Sequence, residues 1–340
     1  MSNLVEALLA GQHSALARVI TKIENRAPGY RDIVSELHGH TGHADVIGVT
    51  GSPGAGKSTL VDKVAAAYRE NGHTVGVIAI DPSSPYSGGA VLGDRIRMAS
   101  NAGDMDVFFR SMSARGSLGG LSTATTDAVT ALDAFGKDYI IVETVGAGQN
   151  EVDIVRTADT VAVLVPPGSG DDVQMLKAGI LEIGDVFVVN KADLDGADRT
   201  VQQLREMLQG RSTAGHHGAG GSEIADLSSE DADESESWEP PIVETVANRG
   251  EGVEEFRSVL ADHSAFLDRT GGRAEQARQR FAAEIRTLLR EDANQLLADE
   301  LDRQGGLDAA VDAVLDRETD PYTVVDEVLT PLRECLDEEG

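Results

Sequence analysis

The run Gly51-Ser52-Pro53-Gly54-Ala55-Gly56-Lys57-Ser58-Thr59 constrains what this chain can fold into more than any other feature. It fits the pattern G-x-x-x-x-G-K-[ST], and both flanks suit it. Val46 to Thr50 has the β-branched character of a buried strand, and Leu60 to Glu70 has helical spacing. A strand that turns through glycines into a helix offers backbone N–H groups to an anion at the positive end of the helix dipole. Lys57 is then placed against β- and γ-phosphates, and the Ser58 hydroxyl against a Mg²⁺ ion that keeps several of its waters. The stretch predicts a nucleoside triphosphate as ligand.

Downstream, apolar strands alternate with helical segments and tend to end in chemistry-bearing residues. Thr74 to Ile80 predicts a second buried strand, closed by Asp81-Pro82-Ser83-Ser84-Pro85. A carboxylate at a strand's carboxyl end lies where open α/β sheets bind ligands, which makes Asp81 a candidate for the outer shell of the metal. Ser87 to Met98 starts glycine-rich and becomes helical near Asp94, the pattern of a mobile switch loop. Val107 to Arg110 reads as a short strand, Ser117 to Leu121 as a turn, and Ser122 to Phe135 as a helix. Tyr139 to Val142 leads into Glu143-Thr144-Val145-Gly146-Ala147-Gly148-Gln149, so an acid ends a buried strand and a glycine follows three residues later. An acid in that place orients a metal-bound water, and the glycine N–H can meet a γ-phosphate. Thr160 to Val165 is a further strand, followed by Pro166 to Asp172 and a short helix over Val173 to Leu181.

Val186 to Val189 predicts the strand that ends in Asn190-Lys191-Ala192-Asp193. The carboxylate of an aspartate in this N-K-x-D tetrad can accept from both N1–H and the 2-amino group of guanine. Adenine presents an acceptor at N1 and lacks that donor pair. Lys191 would pack its stem over the base, and Asn190 would tie the segment to the phosphate loop. The tetrad therefore points to GTP and GDP. After a last strand, Ile242 to Thr245, the backbone of Val246-Ala247-Asn248 is placed to close over guanine O6, and Gly250 to Val253 opens another helix.

These elements imply an α/β fold of the P-loop NTPase class, a mostly parallel sheet flanked by helices. A helical cap over residues 1–44 precedes the nucleotide domain of residues 45–265, and a helical extension covers 266–340. Within the domain, residues about 211–240 read as a flexible acidic insertion: Ser222 to Glu239 hold eight carboxylates and no Lys or Arg. His216 and His217 have no Cys and no other His near them, which argues against a zinc site. In the extension, Phe281, Ile285, Leu288, Leu296, Leu297 and Leu301 are spaced for one apolar face, suited to the core or to another subunit; a homodimer is the expectation.

Charge sets the class of partner. The chain carries 29 Lys plus Arg against 58 Asp plus Glu, a net charge of −29, and only six of its basic residues are Lys. Such a surface repels nucleic acids and anionic membranes. It suits a cytoplasm rich in salt, where screening removes most self-repulsion. A single cysteine, Cys335, leaves no internal disulfide. With no membrane-length apolar run and no secretory signal, the expectation is a cytoplasmic protein.

Four segments together resemble one family: the phosphate loop; Asp81-Pro82-Ser83-Ser84 with Leu92-Gly93-Asp94-Arg95-Ile96-Arg97-Met98; Glu143 to Gln149; and Asn190 to Asp193. The chain is similar to the methylmalonyl-CoA mutase-associated GTPases, the MeaB/ArgK family of P-loop metallochaperones, from Ala15 to the helical tail. The resemblance implies a homodimeric GTPase that assembles with adenosylcobalamin-dependent methylmalonyl-CoA mutase or a related acyl-CoA mutase, gates cofactor loading and guards the mutase against inactivation. It makes Pro166 to Lys177 a switch that relays nucleotide state, and matches Asp81, Asp94 and Glu143 to the acidic cluster near Mg²⁺. Val246 departs from the pattern, since a Ser is common there.

Hydrolysis by such a protein rests on positioning and electrostatics. Lys57 and Mg²⁺ would neutralise developing phosphate charge, with Ser58 as direct metal ligand and Asp81 and Glu143 acting through waters. Asp94 and Gln149 are the candidates to orient the attacking water, with Asp94 preferred. Three rivals remain at this point. A nickel-insertion GTPase would need His/Cys clusters, where only scattered histidines such as His40 and His43 occur. A kinase of a transport protein conflicts with N-K-x-D if ATP is its donor. A nucleotide-gated interaction module would hydrolyse GTP only incidentally.

Overall fold

A computed structural model of the protein describes residues 3–81, 106–113, 123–144, 154, 157–168, 180–214 and 237–338. The expectations for the loop around Asp94, for Val145 to Gln149, for Ser169 to Leu181 up to residue 179, and for 215–236 lie outside these residues.

The chain divides into two compact units, Met1–Gln276 and Ala277–Gly340. The first opens with three helices, α1 (Asn3–Leu9), α2 (His13–Glu24) and α3 (Tyr30–His38). The break between α1 and α2 falls at Gly11, whose φ of 77° is a left-handed conformation natural to glycine. Among the described residues seven strands follow: β1 (Asp45–Gly51), β2 (Val75–Asp81), β3 (Val107–Ser113), β4 (Tyr139–Thr144), β5 (Thr160–Val165), β6 (Val186–Asn190) and β7 (Ile242–Thr245). They form one sheet in the order β3-β2-β4-β1-β5-β6-β7, with every pairing parallel. Between them run α4 (Lys57–Glu70), α5 (Thr123–Ala134), the short α6 (Ile180–Ile183) and α7 (Ala197–Ala214), and α8 (Val253–Thr270) follows the last strand.

Parallel strands need crossover helices, and helices cover both faces of this sheet, so its central strands are apolar on both sides. The alternation is visible in β5: Val161, Val163 and Val165 face the core shared with α1–α3, α5 and α7, while Ala162 and Leu164 face the core under α4 and α8. The helical cap is fastened to β1 by Asp133 of α5. Its carboxylate accepts the backbone N–H groups of Gly42 (2.6 Å), His43 (3.2 Å) and Ala44 (3.1 Å). Arg273, in the first turn of the helix α9 (Gly272–Arg303), reaches Asp45 (2.9 Å), Asp159 (3.4 Å) and Asp268 (2.6 Å).

The second unit holds the rest of α9 together with α10 (Gly306–Leu315) and α11 (Pro321–Glu338). α9 buries none of its residues. Phe281, Ile285, Leu289 and Leu296 of α9, Leu307, Val311 and Leu315 of α10, and Tyr322 and Val325 of α11 are all exposed. No helix of the described residues is long and apolar enough to cross a membrane.

Candidate functional site: a phosphate loop joined to a base-edge tetrad

β1 lies between β4 and β5, where the sheet stops growing toward β3 and begins to grow toward β7. Ligands of open α/β sheets bind in the crevice beyond the carboxyl ends of strands at such a point. Residues 51–59 occupy this position, closing β1 and opening α4. Gly56, at φ 92°, is the left-handed residue immediately before the helix. A Cβ there would sit 2.4 Å from Asn190 Nδ2, so this position excludes any side chain for two separate reasons. Gly51, at φ 131°, is equally confined: its Cβ would lie 2.1 Å from the Leu164 carbonyl oxygen of the neighbouring strand.

Lys57 is the first residue of α4 and is buried. Its ammonium donates to the carbonyl oxygens of Gly51 (2.7 Å) and Ser52 (3.0 Å), which places a positive charge inside the turn of the loop. Ser58 follows, and its hydroxyl donates to Glu143 Oε1 at 2.5 Å. Glu143 belongs to β4, which runs one residue past it to Thr144 where the strand was expected to end at the acid, and its register partner is Val49 of β1. Below this pair the Thr144 hydroxyl donates to Thr50 Oγ1 at 2.9 Å, both residues fully buried. Pro53, Gly54 and Thr59 are exposed, and Ala55 is buried.

On the other side of the loop, Asn190 ends β6 and is almost fully buried. Its Nδ2 donates to the Ala55 carbonyl of the phosphate loop (2.8 Å), and its Oδ1 accepts from the Thr245 hydroxyl (3.0 Å) and from the Ala247 backbone N–H (3.1 Å). One side chain thus joins three segments. Lys191, held at φ 61°, stretches its ammonium to the Gly54 carbonyl (2.8 Å). The Ala192 N–H donates to Thr245 O, so the tetrad and the end of β7 are stitched together by backbone as well. After β7 the chain turns through a single 3₁₀ turn, Ala247–Arg249, with the Val246 N–H donating to Glu251 O. Asp193 is exposed, and its Oδ2 lies 3.2 Å from an Arg249 guanidinium nitrogen.

The structure therefore brings together residues 51–59, Glu143, Asn190, Lys191, Asp193 and Val246-Ala247-Asn248. Asp81 ends β2 in register with Ser113, but its side chain, with Asp94 and Gln149, lies outside the described residues. Sequence reasoning missed Thr50, Thr144 and Arg249: a buried threonine at a strand end, or an arginine after a turn, carries no pattern of its own. The oxygen donors Ser58 and Glu143, in contact beside a helix N-terminus, are the hard ligands that Mg²⁺ prefers.

With this geometry in view, the comparisons are specific. The family model for "Methylmalonyl Co-A mutase-associated GTPase MeaB" matches residues 16–302. A Pyrococcus abyssi protein is 45% identical over 332 residues, covering 97% of this chain and 96% of its own. The GTPase ArgK of Escherichia coli is 33% identical over 306 residues, covering 88% and 87%. Among solved structures, one described as a LAO/AO transport system kinase superposes with a TM-score of 0.64 over 98% of this chain and 97% of that one, at 24% identity. That last likeness speaks to the fold.

Proposed function

This chain belongs to the methylmalonyl Co-A mutase-associated GTPase MeaB family, and we propose that it hydrolyses GTP in order to gate adenosylcobalamin loading, and protection, of an acyl-CoA mutase. The observation that carries the nucleotide half of this reading is Asn190, whose amide binds the phosphate loop and the segment after β7 at once. A base held at the tetrad and phosphates held at the loop then belong to one molecule of fixed length. Family membership carries the mutase half.

In this reading the backbone N–H groups of the loop and the α4 terminus bind the phosphates, and Lys57 exchanges its two carbonyl partners for β- and γ-phosphate oxygens. Ser58 would hold Mg²⁺, with Glu143 and Asp81 supporting it, and the ion would supply charge neutralisation at the phosphates. Asp94, or Gln149, orients the attacking water. Asp193 accepts from the guanine edge, and Ala247 and its neighbours Val246 and Asn248 close over O6. The apolar residues exposed on α9, α10 and α11 form a homodimer interface, and the acidic protein works in the cytoplasm.

The test is to purify the chain, mix it with a cobalamin-dependent acyl-CoA mutase of the same source in KCl and Mg²⁺, and follow GTP turnover and complex formation together. Stimulated turnover and a complex stable to gel filtration are the expected results. Turnover unchanged by the mutase, with no complex, would leave the GTPase and remove the mutase as its client.

A further inference from the structure

We infer that Arg249 is a positioning residue for base recognition, holding the Asp193 carboxylate ready for the donor pair of a guanine; the inference rests on the guanine reading above. The two residues come from separate elements. Asp193 follows β6, while Arg249 ends the 3₁₀ turn after β7. That turn is fixed at its start by the Ala247 N–H on Asn190 Oδ1, the Arg249 N–H on Val246 O, and a left-handed Gly250 at φ 77° immediately after. The guanidinium is thus delivered to the carboxylate by a turn that Asn190 itself organises. One guanidinium nitrogen is 3.2 Å from Asp193 Oδ2 and the other 3.9 Å from Glu251 Oε1.

A carboxylate has about four lone-pair sites, and a guanine edge needs one on each oxygen. Arg249 uses a further site on Oδ2, so it can hold the carboxylate without taking the place of the base. Left alone, Asp193 would lose rotamer freedom on binding; held beforehand, it has less to lose. The base would also cover an ion pair that is now partly exposed, which strengthens an attraction that water otherwise weakens. Arg249 therefore acts through Asp193, and its effect must scale with how much of the base the carboxylate reads.

The experiment measures GDP and inosine diphosphate binding by calorimetry for the wild type, Arg249→Ala, Arg249→Lys, Asp193→Asn and the double variant, with thermal midpoints checked throughout. Arg249→Ala is expected to weaken GDP by about three- to tenfold. Inosine diphosphate, which lacks the 2-amino group, should weaken less. Arg249→Lys should recover part of the loss, and in the Asp193→Asn background Arg249→Ala should have no further effect. Equal losses for the two nucleotides, a loss that persists without the Asp193 carboxylate, or tighter GDP binding by Arg249→Ala would each overturn the inference. The guanine reading fails separately, and takes the inference with it, if Asp193→Asn alone leaves GDP affinity unchanged.

Discussion

At the scale of single residues, Asn190 and His263 show two ways in which a buried polar group is satisfied. The tetrad spacing was enough to single out Asn190, because an N-K-x-D run at the end of an apolar strand has few other meanings. His263, almost fully buried in α8, had no such signal, and its surroundings come from four places in the sequence. Its Nδ1 is 2.8 Å from Thr160 Oγ1, its Nε2 is 3.6 Å from Asp185, and its ring lies against Trp238 and Phe266. Burial, helped by the nearby Arg273 charge and opposed by Asp159, lowers its pKa from 6.5 to about 4. The unfolded chain therefore takes up a proton between these values while the folded chain does not. Stability is full above pH 6.5 and falls as pH drops toward 4. The difference amounts to roughly 3 kcal/mol at 1.4 kcal/mol per unit. In urea titrations at pH 7 and pH 4.5, the wild type should lose on the order of 2 to 3 kcal/mol more than His263→Gln. Equal losses would mean that the histidine is solvated.

At the scale of elements, the apolar runs predicted the strands well, and misplaced ends have identifiable causes. β4 continues through Glu143 and Thr144 because their polar groups are met by Ser58 and Thr50, partners that no local pattern reveals. β3 runs to Ser113 for a similar reason: pairing with β2 continues to Asp81, although serines interrupt the apolar pattern. In the N-terminal cap, expected only as helical over residues 1–44, α1 and α2 are separated at Gly11, whose left-handed φ of 77° marks the break. The helices α9 to α11 raise a different question, since they expose apolar residues at regular spacing along each helix. If these residues form a dimer interface, Ile285→Glu combined with Leu289→Glu should raise the dimer dissociation constant by at least about a hundredfold. Sedimentation velocity would show a monomer, and GTP turnover in the absence of a partner protein would persist. A wild type that sediments as a monomer at micromolar concentration would remove the interface.

For the whole molecule, the P-loop class and the parallel sheet were legible because β1, β2, β4 and β6 lead into residues with a chemical reason to be there. The link from Asn190 to the phosphate loop was legible as well; what was not legible is the second link of the same side chain, to Thr245 and Ala247 at the end of β7. It depends on β6 lying next to β5 and β7, an arrangement fixed by sheet order and by no single segment. The net charge of −29 is also a property of the whole, and measurements on this protein belong in KCl, where self-repulsion is screened. The most direct test of the account is steady-state turnover of GTP against ATP and xanthosine triphosphate, with Mg²⁺, for the wild type and Asp193→Asn. The account predicts that the wild type hydrolyses GTP and leaves ATP untouched, and that Asp193→Asn loses GTP and gains the xanthine nucleotide, whose C2 carbonyl suits an amide donor. Equal turnover of ATP and GTP by the wild type would contradict it.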